Sequence, residues 1–217
     1  MSATRASSVL VDKGSTGSML VDKATRTRAL QKLEKTMPAR VGLYCASCWA
    51  YTLTGVWYLW AMPAMPPVCQ SSAFMSGYMF GALLILQGFF SYMNDAVCTL
   101  GKDGYFSWAT WEMMDRFLAW TLMINTVGTA RLWGQGDSAG GEGAHTARLM
   151  VSCALVASCA ISYPTSKAYE LLGKMPQFLL WHSIWHIVPN VFAVLWMALH
   201  MEPSPLPWFV LVLIGAS

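Results

Sequence analysis

The sequence predicts an all-α fold: a polytopic transmembrane helical bundle of five to six helices, seven at most. Three observations lead there. Hydrophobic residues make up 55% of the 217 and charged residues only 12%, whereas soluble domains carry about 25% charged residues. Six apolar stretches follow one another along the chain, separated by short polar or Pro/Gly-containing connections. The charge is also segregated: eight of the 14 Lys and Arg (Arg5, Lys13, Lys23, Arg26, Arg28, Lys32, Lys35 and Arg40) lie in residues 1–40. This asymmetry divides the chain into a polar, basic, disordered tail over 1–40 and a transmembrane helical domain over 41–217.

The tail comes first. It repeats a short phrase, Ser8–Lys13 and again Ser18–Lys23, too short for a repeat-protein unit. It has no apolar run of the secretory type. Its Ser, Thr and Arg resemble an organelle address, but Asp12, Asp22 and Glu34 count against that reading. The net charge of +3 is a property of the tail, so it makes no case for nucleic-acid binding. The partner to expect is membrane lipid.

The apolar stretches run over 42–62, 72–93, 113–133, 148–164, 176–199 and 206–217. A membrane-crossing helix needs about 20 residues, with ~17 the lower limit. The first, second, third and fifth qualify, the fourth is short but adequate, and the last reads as a partial or re-entrant helix. Cys45-Ala-Ser-Cys48 opens the first stretch; without a second pair it reads as buried small apolar side chains. The connection over 62–72 contains Pro63, Pro66 and Pro67 and no Lys or Arg. The connections that hold Lys102, and Lys167 with Lys174, fall on the side of the tail. The positive-inside rule then makes the N-terminus cytosolic in an integral, multi-pass protein, with an endomembrane favoured and an organelle as the alternative. Most Trp residues cluster near span ends, as interfacial anchors do. Trp185 lies inside a span and reads as a pocket residue.

His182 and His186 carry the chemistry. A spacing of i, i+4 stacks both imidazoles on one helix face, and a polar group inside a span is costly. Two imidazoles so spaced are half of a metal site. The predicted topology brings Asp95, at the end of the second helix, and Asp115, at the start of the third, to the same side. Ser91, four residues before Asp95, is expected to share its face. Two imidazoles and a carboxylate with an open position form a catalytic zinc set. The plainer alternatives are hydrogen bonding across helices for the histidines, helix-dipole compensation for Glu112 and Asp115, and back-bonding to its own helix for Ser91. Haem is disfavoured, because two imidazoles on one face cannot both bind one haem axially.

Ser91-x3-Asp95, an Asp opening the next helix and the late His182-Ser-Ile-Trp-His186 resemble the CREST superfamily of membrane hydrolases, which contains alkaline ceramidases, progestin and adipoQ receptors and GPI-anchor remodelling proteins. The resemblance implies a helical bundle with one zinc, held by His182 and His186 and, in place of the family's third histidine, Asp95. It implies that Asp115 orients the attacking water as a catalytic residue and that Ser91 is the family serine, stabilising an oxyanion or positioning the Asp. The chain has fewer spans than the family's seven, and a further apolar stretch follows its His helix. The expected function is zinc-dependent hydrolysis of lipid amide or ester bonds. The alternative is a non-catalytic multi-pass protein, receptor-like or an accessory subunit, whose polar cluster ties helices together.

Overall fold

The computed structural model describes residues 23–65, 70–101, 106–133 and 141–199. They form an all-α bundle, as predicted, with no β-strand among the described residues. In chain order the helices are α1 (Lys23–Thr36), α2 (Pro38–Ser47), α3 (Trp49–Ala61), α4 (Gly77–Ser91), α5 (Trp108–Trp133), α6 (Gly141–Leu171) and α7 (Met175–Ala198). A π-helical segment, Tyr92–Cys98, prolongs α4. The stretch over 206–217 lies outside the described residues.

Part of the expected disordered tail is ordered. Residues 23–36, free of Gly and Pro, form α1, and its Leu30 packs with Val41, Tyr44, Phe178 and Leu179. Gln31 Nε2 donates to the Leu100 carbonyl at 3.1 Å. Charge alone misassigned this segment, because an amphipathic helix needs only a narrow apolar stripe to dock.

The first apolar stretch is divided. Pro38 starts α2, at a position where its missing N–H costs nothing, and the chain passes through Cys48 into α3. Pro63 lies in a 3₁₀ turn (Met62–Ala64) that ends α3. Ser76 starts α4 as an N-cap, its side chain accepting from Met79 N–H at 3.3 Å. α3 and α4 cross closely: a Cβ on Gly55 would meet the Gly81 carbonyl oxygen at 2.7 Å. Small residues at such a crossing let backbones approach.

The fourth stretch, short in the sequence, is the longest helix. α6 continues through Pro164 for 31 residues. Two helical stretches, Arg148–Leu171 and Met175–Ala198, are long and apolar enough to cross a membrane. α6 packs along α7, α3 along α4, and α7 also meets α2 and α3. α5 packs against α4, whereas α5 and α6, consecutive in the chain, scarcely touch. At one end, the 70–76 segment is clasped to α5 by Phe74 N–H donating to Asn125 Oδ1 (3.1 Å) and Ala73 N–H donating to Thr129 Oγ1 (2.9 Å). The other end holds the polar residues considered next.

Candidate functional site

α7 places His182 and His186 one above the other, with ring centroids 4.6 Å apart and both side chains buried. His182 sits between the rings of Tyr44 and Phe178, and His186 lies edge-on to Tyr51. Asp95, 1% exposed, meets them from the π-helical segment. Its Oδ2 accepts from His182 Nε2 at 2.8 Å and lies 3.8 Å from His186 Nε2. Two hydroxyls reach the other ring nitrogens: Ser166 Oγ is 3.1 Å from His182 Nδ1, and Ser47 Oγ is 3.1 Å from His186 Nδ1.

Asp115 forms a second centre beside the first. Ser91 Oγ donates to its Oδ1 in a short hydrogen bond. Gln87 Nε2 donates to the same oxygen at 2.7 Å and to Ser91 Oγ at 2.9 Å. Asn94 Nδ2 bridges the two centres, 3.1 Å from Asp95 Oδ1 and 3.3 Å from Asp115 Oδ2. The carbonyl oxygens of Gln87 and Asn94 are buried without a hydrogen-bond partner among the described residues. A buried acceptor left unmatched costs stability.

A third group closes the site from the tail. Arg26 of α1 is 7% exposed and pairs with Glu170 of α6 at 2.9 Å. Its Nη2 lies 3.4 Å from Tyr44 Oη and 3.8 Å from Asp95 Oδ1, and its guanidinium sits 5.0 Å over the Phe178 ring. Burial alone would lower the Arg26 pKa; Tyr44, Glu170 and Asp95 around it outweigh that and hold it above its ordinary value. Glu170 also accepts from Lys167 at 2.7 Å.

The structure thus brings all five expected residues, Ser91, Asp95, Asp115, His182 and His186, to one end of the bundle. Two expectations are corrected. Ser91 and Asp95 do not share partners: Ser91 turns to Asp115 and Asp95 to His182. The reason is the π-helical segment between them, marked by the i to i+5 bond from Thr99 N–H to the Asn94 carbonyl at 3.1 Å. Wider turns break the four-residue spacing. The set of donor atoms that could hold a metal ion is also different. It is Cys48, Asp95 and His186, all buried, with ligand atoms within 4.8 Å of one another. Cys48 takes the place in that group expected for His182.

Gln87, Asn94, Ser47, Ser166, Arg26 and Glu170 were not anticipated. Gln87 was findable, being four residues before Ser91 on an ordinary α-helix face. Ser47 and Ser166 carry no sequence signal beyond being hydroxyls in helices.

A cavity of about 320 Å³ opens beside the two carboxylates, between α5 and α6. Asp95, Asp115, His182 and His186 lie on its wall, and Trp120, Met123, Val156 and Trp185 give it an apolar side. Trp185 stacks on Tyr163 and is a pocket residue, as expected from its place between the histidines. In comparisons with known proteins, no family model, no curated protein and no solved structure matches the chain.

Proposed function

We propose that this chain is a multi-pass membrane protein of CREST-like type, a zinc-dependent hydrolase of lipid amide or ester bonds. One observation carries the reading: two carboxylates and two imidazoles, from α5, α7 and the π-helical segment, converge beside a largely apolar cavity. The donors suit zinc, which takes thiolate, imidazole and carboxylate ligands.

The surface supports a membrane setting. Leu53, Trp60, Phe117, Ile124, Met150 and Ile161 are large, apolar and exposed on the helices, and contiguous apolar surface of that kind is rare on soluble monomers. The gap between α5 and α6 would admit a substrate sideways from the bilayer. The basic tail then belongs to the cytosolic side, in an endomembrane.

Bound zinc supplies Lewis-acid polarisation and acidifies its water. The chain's own residues supply the rest. Asp115 would accept the proton of the attacking water or orient it. Ser91 and Gln87 hold the Asp115 carboxylate, so the Ser91 hydroxyl is committed to positioning rather than to stabilising an oxyanion. Asn94 fixes the two carboxylates relative to each other. Arg26 offsets the negative charge of Asp95 and Glu170.

Metal analysis of the full-length protein, purified without chelator, tests the reading. The expected outcome is about one zinc per chain, with turnover of at least one ceramide, phospholipid or GPI substrate. Metal without turnover of any of these would make the chain a structural or receptor-type zinc protein. The second reading, a non-catalytic cluster that ties helices together, is favoured by the direct His182–Asp95 bond, which satisfies both groups without an ion. Absence of metal, with folding intact in a His182→Ala/His186→Ala variant, would establish it.

A further inference from the structure

The two histidines are not equivalent, and their hydroxyl partners say which one faces an ion. Ser47 Oγ donates its hydrogen to the Tyr44 carbonyl at 2.7 Å. Its remaining role toward His186 is acceptor, so His186 Nδ1 carries the ring proton at that 3.1 Å contact. Nε2 of His186 therefore presents a lone pair. The nearest carboxylate oxygen, Asp95 Oδ2, is 3.8 Å from it, too far for a hydrogen bond. Two electron-pair donors thus face each other in a buried site with no proton between them.

His182 is arranged the other way round. Its Nε2 donates to the Asp95 carboxylate at 2.8 Å. Ser166, whose hydroxyl is not committed to a carbonyl, donates to Nδ1 at 3.1 Å. Both ring nitrogens of His182 are occupied, and neither offers a lone pair to an ion.

Cys48 supplies what His182 does not. It is fully buried where α2 passes into α3, and its only hydrogen-bonding contact is a weak one to the Tyr44 carbonyl at 3.7 Å. Its sulfur lies within 4.8 Å of both the Asp95 oxygen and the His186 nitrogen.

We infer that the metal ligands are the Cys48 thiolate, the Asp95 carboxylate and His186 Nε2, and that His182 is a positioning residue that holds Asp95. This rests on the metal-dependent reading above and changes its ligand set. It makes the centre thiol-bearing. Such a set selects zinc or another thiophilic ion over magnesium or calcium, which prefer all-oxygen sites. The arrangement of Asp95 under His182 follows the rule that outer partners orient inner ligands.

Cobalt(II) exchanged into the purified full-length protein is the test. A cobalt–thiolate bond gives an intense near-ultraviolet charge-transfer band, whereas imidazole and carboxylate ligands do not. The expected result is that band at one cobalt per chain, lost in Cys48→Ser. His182→Gln, which keeps a donor for Asp95 and an acceptor for Ser166, should retain band and stoichiometry. His182→Ala should retain the band with affinity weakened roughly 10–100-fold, as for loss of an outer partner. Stoichiometric cobalt without the band in the unmodified protein would overturn the ligand assignment and leave the hydrolase reading standing. No stoichiometric metal at all would sink both. The band is read in the unmodified chain, so the result does not depend on any variant folding.

Discussion

Where Tyr58, Met62, Phe80, Leu122, Val194 and Met197 meet, α3, α4, α5 and α7 pack apolar side chains against one another. Toward the other end the same four helices, or their direct continuations, bury Asp95, Asp115, Gln87, His182 and His186, joined there by Arg26 and Glu170. The first half is what a helical bundle needs to hold together. The second carries charges that cost several kcal/mol each to desolvate, in helices that could have continued as apolar ones. That difference locates the function in the polar half. It also predicts that lesions in the two halves will separate: those in the apolar half should act on stability alone, and those in the polar half on chemistry or charge balance.

The largest separation is expected at Asp115. Asp115→Asn keeps the shape and most hydrogen bonds but removes the base, so hydrolysis should fall about 10²–10⁴-fold with metal content unchanged. Assays of turnover and bound metal on one preparation check this; loss of metal would mean that Asp115 belongs to the ligand set. Next is Arg26→Met, which strands Glu170 and should cost about 3–5 kcal/mol. A Met at both positions should recover most of that loss, as read by denaturation in detergent. If the double substitution is no better than the single one, the pair is not an isolated charge couple.

Leu122→Ala probes the apolar half. It should cost about 2–5 kcal/mol and leave metal stoichiometry untouched; a loss of metal would show that the halves are coupled. The smallest effect is expected at Ser76, the N-cap of α4. Ser76→Ala removes the acceptor for Met79 N–H and should lower stability by about 1 kcal/mol, seen as a modest fall in the denaturation midpoint.

What could be read from the sequence follows the same division. His182 and His186 were legible because α7 is a regular helix, so a spacing of four translates directly into one face. The all-α class was legible from composition. Asp115 was legible as a polar residue near the start of a long apolar helix. Ser91 and Asp95 were legible as residues but not as a pair, since a π-helical turn leaves no periodic signature. Cys48 was hidden by its chemistry: a buried cysteine is usually a small apolar side chain, and only its neighbours in space mark it otherwise. Arg26 was hidden by its company. Among eight basic residues in the first 40, nothing local distinguishes the one that is buried.

The π-helical segment makes the site sensitive to chain length. Tyr92–Cys98 holds its wider turn with the same residue count on which α5 begins. Deleting one residue there would let the backbone relax to the ordinary α register. Each residue of an α-helix advances about 100° around the axis (3.6 per turn), so every side chain beyond the deletion would swing by about that angle. Asp95 would leave the histidines although its own identity had not changed. In this stretch the spacing of the letters is therefore as much a functional constraint as the letters themselves, and a ruler laid along the chain would detect a broken site that a list of residues would pass as whole.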